Sequence, residues 1–263
     1  MEGGTPVNFT KVILFTSCKG GVGKSTVCAN IAMSLATKNK KVLLIDCDFG
    51  SRCLDIISGI ENSSIYDVGD VVLGRVGIDK AVVIDKRNKN LSFLSAIINP
   101  EMSIDVSSFK KMIGNLVRSG MYDFIFIDTP GGIGQPLKYA CSVSEWAFII
   151  TNQTTASIRA ADRTADFLYS NGVHNLRLII NKMTSDNIKE AKNEIISIID
   201  EASVKLIGVI PYDKEIIKCG NKGVLVDGMK SKLAIQAFDN VAERVLGHQC
   251  LLFHNIKKIN KLK

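Results

Sequence analysis

Several absences narrow the field before any motif is considered. No apolar run approaches the ~18 residues that a helix needs to cross a bilayer. The opening MEGGTPVNFT has neither the basic start nor the apolar core of a secretory leader, so a chain that is neither secreted nor membrane-spanning is expected. No CxxC pair occurs among the seven cysteines (Cys18, Cys28, Cys47, Cys53, Cys141, Cys219, Cys250), whose number is odd and whose neighbours are mostly apolar. That usage suits reduced thiols in a cytosol and disfavours a zinc or iron–sulfur centre. The three histidines, His174, His248 and His254, lie far apart and show no ligand spacing. Excess charge is scarce too: Lys and Arg outnumber Asp and Glu by 33 to 26, and four of those seven excess charges (Lys257, Lys258, Lys261, Lys263) sit in the last seven residues. The body of the chain therefore lacks the footprint of a polyanion binder, and only the tail suits nucleic acid or an acidic membrane surface.

What is present is enough for a full core: 263 residues, 46% of them apolar, without internal repeat, low-complexity block or linker. One domain over residues 11–247 is expected, preceded by a flexible stretch 1–10 and followed by an appendage 248–263. Short Val/Ile/Phe-rich runs at 12–16, 42–45, 124–127, 146–150, 176–180 and 206–210 read as buried strands. Segments of helical length and composition lie at 25–37, 106–118, 158–169, 187–199 and 232–246. Such alternation predicts an α/β fold: a mostly parallel, doubly wound sheet with helices on both faces.

The first strand runs straight into Lys19-Gly20-Gly21-Val22-Gly23-Lys24-Ser25-Thr26, and a helix begins inside that motif. This is the context of a phosphate-binding loop. Glycines let successive backbone N–H groups curl toward phosphate oxygens, and the new helix adds its positive end. Lys24 then supplies charge to the β and γ phosphates, and the Ser25 hydroxyl is placed to ligate Mg²⁺. The common pattern G-x-x-x-x-G-K-[ST] puts its first glycine where this chain has Cys18. The loop must turn there without left-handed backbone, or carry strain.

Acidic residues follow two other strands, in Asp46-Cys47-Asp48-Phe49-Gly50-Ser51-Arg52-Cys53-Leu54-Asp55 and in Asp128-Thr129-Pro130-Gly131-Gly132. Carboxyl ends of strands are where doubly wound sheets hold ligands. Asp128 reads as a Mg²⁺-holding acid, Asp46 as a second group near the metal, and Asp48 as the residue that orients the attacking water. For Asp46 and Asp55 a helix-capping role stands equally open.

Together these segments carry a resemblance. K-G-G-V-G-K-S is similar to the deviant Walker A motif of the MinD/ParA family of P-loop ATPases (SIMIBI type), and D-C-D-F-G-S-R-C-L-D resembles the D-x-D-x-G-x-R-N-L-D of its MinD branch rather than the D-x-D-P-Q-G-N of partition ATPases. Tyr66-Asp67-Val68, Asp85-Lys86-Arg87 with Asn90-Leu91, Ser157-Ile158-Arg159 with Asp162-Arg163, and Gly208-Val209-Ile210-Pro211 extend the similarity over nearly all of residues 11–247. Cys53 stands where the pattern has Asn, and Ala160 where an Asp follows Arg159. Both depart where family members meet a dimer mate or a regulator.

The resemblance implies a Mg²⁺-dependent ATP hydrolase that dimerises on ATP, with Lys19 reaching across a two-fold axis to the partner's nucleotide. A cation that arrives only on dimerisation would stabilise the spreading γ-phosphoryl charge in trans, a device worth ~10³–10⁵ in rate in GTPases. The resemblance also implies that Asn181, with backbone near Ile210-Pro211, binds adenine. Read from residues alone, Asn181 closes a strand with an amide that can both donate to and accept from a purine edge, and a turn or cap residue is the other reading. The implied output is placement of the division septum, with regulators of the MinC/MinE type. The alternative is a partition or flagellar-placement ATPase acting on DNA or the cell pole, and a cluster-carrying reductase is discounted for want of cysteines beside its faint match at residues 67–72.

The tail LLFHNIKKINKLK puts Leu251, Leu252, Phe253, Ile256, Ile259 and Leu262 on one broad side of a helix and His254, Lys257, Lys258 and Lys261 on the other. Four lysines at ~1 kcal/mol each give about millimolar affinity for an anionic surface, which two tails on a dimer would raise ~10²-fold or more. Packing of the tail on the protein's own surface is the other reading.

Overall fold

A computed structural model describes residues 10–49, 51–61, 63–97, 99, 104–185 and 187–252. The stretch 1–9 and residues 253–263 of the tail, on which the flexible-terminus and membrane-helix expectations chiefly rest, lie outside the described residues; the described start of the tail, 248–252, is not helical, and Leu252 packs against the core.

In chain order the elements are β1 (Lys11–Ser17), α1 (Lys24–Thr37), β2 (Val42–Asp46), α2 (Cys53–Ser58), α3 (Val68–Val72), α4 (Ile78–Ala81), β3 (Val83–Ile84), β4 (Leu91–Leu94), α5 (Val106–Ser119), β5 (Phe124–Gly131), α6 (Gln135–Cys141), β6 (Trp146–Thr151), α7 (Thr155–Ser170), β7 (Asn175–Met183), α8 (Ile188–Ala202), β8 (Leu206–Pro211), α9 (Lys214–Gly220) and α10 (Lys232–Val245). Eight strands form one sheet in the order β3-β4-β2-β5-β1-β6-β7-β8, parallel throughout except for the antiparallel edge pair β3·β4. The α/β expectation is met.

The strands read as unbroken apolar runs because both faces are covered. Val12 and Leu14 of β1 pack with Phe109 of α5, Leu137 of α6 and Leu168 of α7 on one side. Ile13 and Phe15 point the other way, toward Ile31 and Met33 of α1 and Phe238 of α10. On that side the Phe15 ring meets Phe126 at 4.8 Å and Phe148 at 5.2 Å between centroids, within the range of favourable aromatic pairs. Helix α5 shows how sequence sets an element. Asp105 caps its start by accepting the Ser108 N–H at 2.8 Å, Phe109, Met112, Ile113 and Leu116 bury one stripe, and Gly120 ends it at φ 61°.

Gly208 of β8 lies so close to α10 that a Cβ there would run into Val241 Cγ2. Gly208→Ala is therefore expected to cost about 1–3 kcal/mol through overpacking, read as a lowered unfolding midpoint without change in the fold.

Candidate functional site

The carboxyl ends of β1, β2, β5 and β7 converge, and each delivers part of one site. Between β1 and α1 the loop turns through left-handed backbone at Gly21 (φ 77°) and Gly23 (φ 89°), while Cys18 is not among the residues with positive φ. The loop thus avoids strain at the position where the common motif has glycine. Gly23 starts α1 with no side chain capping it, which leaves the first helical N–H groups to a ligand. Two consecutive residues at the end of β7 steer the loop. Asn181 Nδ2 donates to the Val22 carbonyl and Lys182 Nζ to the Gly21 carbonyl, both at 2.7 Å. With these carbonyls drawn outward, the loop's N–H groups are left to face inward. Lys182 holds left-handed backbone (φ 57°) to do so, and no motif in the sequence announced it.

Lys24 is buried, and its Nζ donates to Asp128 Oδ1 at 2.6 Å and to Ser25 Oγ at 3.2 Å. Burial disfavours its ammonium, but Asp128 outweighs that and lifts its pKa above the ordinary lysine value. Asp46 and Asp128 are register partners on adjacent strands and both are fully buried. Burial first, and then Asp128, hold the Asp46 carboxyl well above the usual carboxylate range. Burial likewise raises Asp128, with the Lys24 ammonium opposing. The Asp48 N–H donates to Asp46 Oδ1 at 2.8 Å, which brings the third acid to the same mouth. Asp46 Oδ2 and Asp128 Oδ2 lie buried without a hydrogen-bond partner among the described residues. Two such carboxylates and the Ser25 hydroxyl form a hard-oxygen donor set that fits Mg²⁺, which dehydrates reluctantly and takes few protein ligands.

Asp55 plays another part. It is buried at the start of α2, where Arg52 Nε donates to Oδ2 at 2.7 Å and Ser95 Oγ to Oδ1 at 3.1 Å. That ties α2 to the end of β4 and leaves Asp55 outside the site. Cys47 is buried with its thiol pushed well up, chiefly by burial, so it stays protonated and inert beside the acids.

At the rim, half-buried Lys19 donates to Thr154 Oγ1 at 3.2 Å, and that hydroxyl also contacts Asn152 Oδ1 and Ser157 Oγ. The second lysine of the loop thus points away from the Lys24 pocket toward the start of α7.

A cavity of about 240 Å³ opens beside the loop and brings Asn181 and Pro211 together with Gly23 and Thr26. Asn181 is in β7 and caps no helix. Its Nδ2 being engaged with Val22, its Oδ1 remains as an acceptor. The apolar walls, Ile56 and Ile57 of α2 and Ile216 and Ile217 of α9, were invisible in sequence because nothing local marks them as neighbours. A larger cavity, about 400 Å³ between the α3–α4 segment and α5, contains none of the phosphate-loop or acidic site residues.

The family model described as the CobQ/CobB/MinD/ParA nucleotide binding domain matches residues 13–226. The putative septum site-determining protein MinD of Oltmannsiellopsis viridis is 39% identical over 251 residues, 94% of this chain and 77% of that protein. The chain belongs to the MinD/ParA family. Among solved structures, the Aquifex aeolicus MinC:MinD complex aligns with a TM-score of 0.85 at 37% identity, covering 93% of this chain and 99% of that one. Pyrococcus horikoshii MinD, solved with Mg-ADP, aligns at 0.78 and 28%, covering 90% and 96%. The chain is thus a nucleotide-binding P-loop ATPase of the MinD type, in keeping with the resemblance read from the loop and the D-x-D segment. Among the described residues no helix is long and apolar enough to cross a membrane.

Proposed function

We propose that this chain is an ATP-driven spatial switch for placing the division septum. ATP lies with its phosphates in the loop Lys19–Thr26 and its base in the cavity of Asn181 and Pro211. Asn181 Oδ1, left as an acceptor, suits the exocyclic amine of adenine. Ser25, Asp46 and Asp128 would hold Mg²⁺, which would supply positive charge against the phosphates. Asp48 orients the attacking water, and Lys24 draws charge from the phosphoryl oxygens. The observation that carries this reading is the split between the two lysines of one loop. Lys24 is buried against Asp128, whereas Lys19 stands at the rim on one weak hydroxyl contact, placed to leave its own subunit.

A second copy then completes the cycle. Two ATP molecules between two identical faces receive one Lys19 each from across the axis. The dimer presents two copies of segment 248–263 to the anionic inner membrane surface, and hydrolysis releases monomers to the cytoplasm. The MinC bound to the Aquifex relative supports regulatory division proteins of the MinC/MinE kind as partners. The Mg-ADP of the Pyrococcus relative supports the adenine nucleotide and the metal.

The test is light scattering of Asp48→Ala, which should bind ATP without consuming it. The expected result is a dimer with Mg-ATP and a monomer with ADP. Anionic vesicles should pellet that dimer about 10²-fold better than the ADP-bound monomer, and a chain ending at Leu252 should pellet in neither state. A protomer that stays single under every nucleotide condition would overturn the switch. ATP-dependent, steeply salt-sensitive binding to nonspecific DNA would favour the partition alternative.

A further inference from the structure

The nucleoside cavity has two apolar walls, α2 and α9, that come from chain segments far apart and share no strand. Something behind them must set their separation. Behind the cavity the chain following α2 touches the chain following α9 through two glycines: a Cβ on Gly59 (φ 71°) would stand 2.7 Å from the Gly223 carbonyl oxygen, and a Cβ on Gly223 (φ 65°) would run into Gly59 Cα. At that junction the two segments are as close as backbone allows. One side chain spans that junction. Arg87 Nη2 donates to the Ser58 carbonyl at 3.0 Å, at the end of α2, and Nη1 to the Gly223 carbonyl at 2.9 Å.

The guanidinium is itself fixed. Asp85, at the β3–β4 turn and only 4% exposed, accepts from Arg87 Nε at 3.0 Å and Nη2 at 2.6 Å. The same carboxylate accepts the backbone N–H groups of Arg87 at 2.7 Å and Asn88 at 3.2 Å, so it cannot swing away with the side chain it holds. Nε, Nη1 and Nη2 are thus all committed in one plane to three separate segments. The rigid fork of arginine permits this and the single ammonium of lysine does not. Neither Asp85 nor Arg87 lines the cavity.

We propose that the Asp85–Arg87 pair is a positioning device that clamps α2 against α9 and thereby sets the width of the base-binding cleft. The inference rests on the ATP reading above and deepens it: phosphate affinity belongs to the loop, whereas affinity for the nucleoside depends on a clamp behind the pocket. Without the clamp, ATP would have to draw the two walls together at its own cost, which lowers affinity with no contact to ligand removed.

Binding of ATP, ADP and inorganic tripolyphosphate to the full chain tests this, by competition against a fluorescent ATP analogue. A bond from a charged donor favours the clamped arrangement by roughly tenfold or more in its equilibrium constant, and the ligand must make up that factor once the bond is lost. Arg87→Met should therefore weaken ATP and ADP about tenfold or more and leave tripolyphosphate within about twofold. Arg87→Lys keeps the charge opposite Asp85 but reaches only one carbonyl, and should lose about three- to fivefold for the nucleotides alone. It also covers the case in which Arg87→Met fails to fold. Nucleotide affinity unchanged in Arg87→Lys, or equal losses for nucleotides and tripolyphosphate, would overturn the clamp. Wild-type protein that binds tripolyphosphate but no adenine nucleotide would overturn the ATP reading itself, and the clamp with it.

Discussion

Lys24→Met is expected to lower stability by about 3–5 kcal/mol in the absence of nucleotide and to abolish ATP binding. The buried cluster holds two carboxyls, Asp46 and Asp128, against one ammonium, and Lys24 Nζ is bonded to Asp128 Oδ1 at 2.6 Å. Deleting the ammonium leaves an acid pair on neighbouring strands with no counter-charge. A chain of this size loses about 2–4 °C of melting temperature per kcal/mol, so a drop on the order of 10 °C is expected. The loss has a sign in pH. Burial already holds both carboxyls above the ordinary range, and without Lys24 they rise further. A carboxyl whose folded pKa exceeds its unfolded value binds protons preferentially in the folded state. Its cost is complete above the folded pKa and vanishes below the unfolded one. The deficit of Lys24→Met should therefore shrink as pH falls from neutrality toward the ordinary carboxylate range. Adding Asp128→Asn should return most of the stability and none of the ATP binding. A single variant as stable as wild type at neutral pH would show that the pair carries no such charge balance.

The same contrast between local and assembled features decides what was legible in the sequence. The phosphate loop was readable because seven of its residues are contiguous, and the strands carrying Asp46 and Asp128 because burial on both faces writes an apolar run. Strand β4 escaped notice because Leu91–Leu94 is four residues with a serine inside, and β3 because it is two residues long. Helix α3 is only five residues, held by the reciprocal Asp67–Asp70 capping box, too short for any periodic signal. Helix α7 begins at Thr155, three residues earlier than its apolar pattern suggested. Lys182 and Arg87 were opaque for a different reason. Lys182 acts on a carbonyl 161 positions away and Arg87 on one 136 positions away, so their roles exist only once the sheet order has placed those segments together. Resemblance had flagged Asp85-Lys86-Arg87 without saying what it does, and the bonds from its guanidinium supply the physical content.

Lys19→Ala should behave oppositely to Lys24→Met: stable, able to bind ATP, and nearly dead in turnover. In its own subunit Lys19 is half-buried and, among the described residues, donates only to the Thr154 hydroxyl at 3.2 Å, so its loss is expected to change stability by no more than about 0.5 kcal/mol. Nucleotide affinity should stay within about threefold, because the Lys24–Asp128 centre is untouched. Dimer-dependent turnover should fall about 10³-fold or more if Lys19 is the cation that meets the transition state. Whether it acts across the dimer is decided by mixing two inactive proteins, Lys19→Ala and Asp48→Ala. In a mixed dimer the Lys19→Ala subunit keeps its own Asp48 and receives Lys19 from its partner, so one of the two sites is whole. With random pairing half the dimers are mixed, and turnover should return to about a quarter of wild type. Were Lys19 to serve its own nucleotide, neither subunit of the mixed dimer would hold both residues at one site, and the mixture would stay inactive. Recovery on mixing therefore requires the exchange of lysines on which the proposed switch depends.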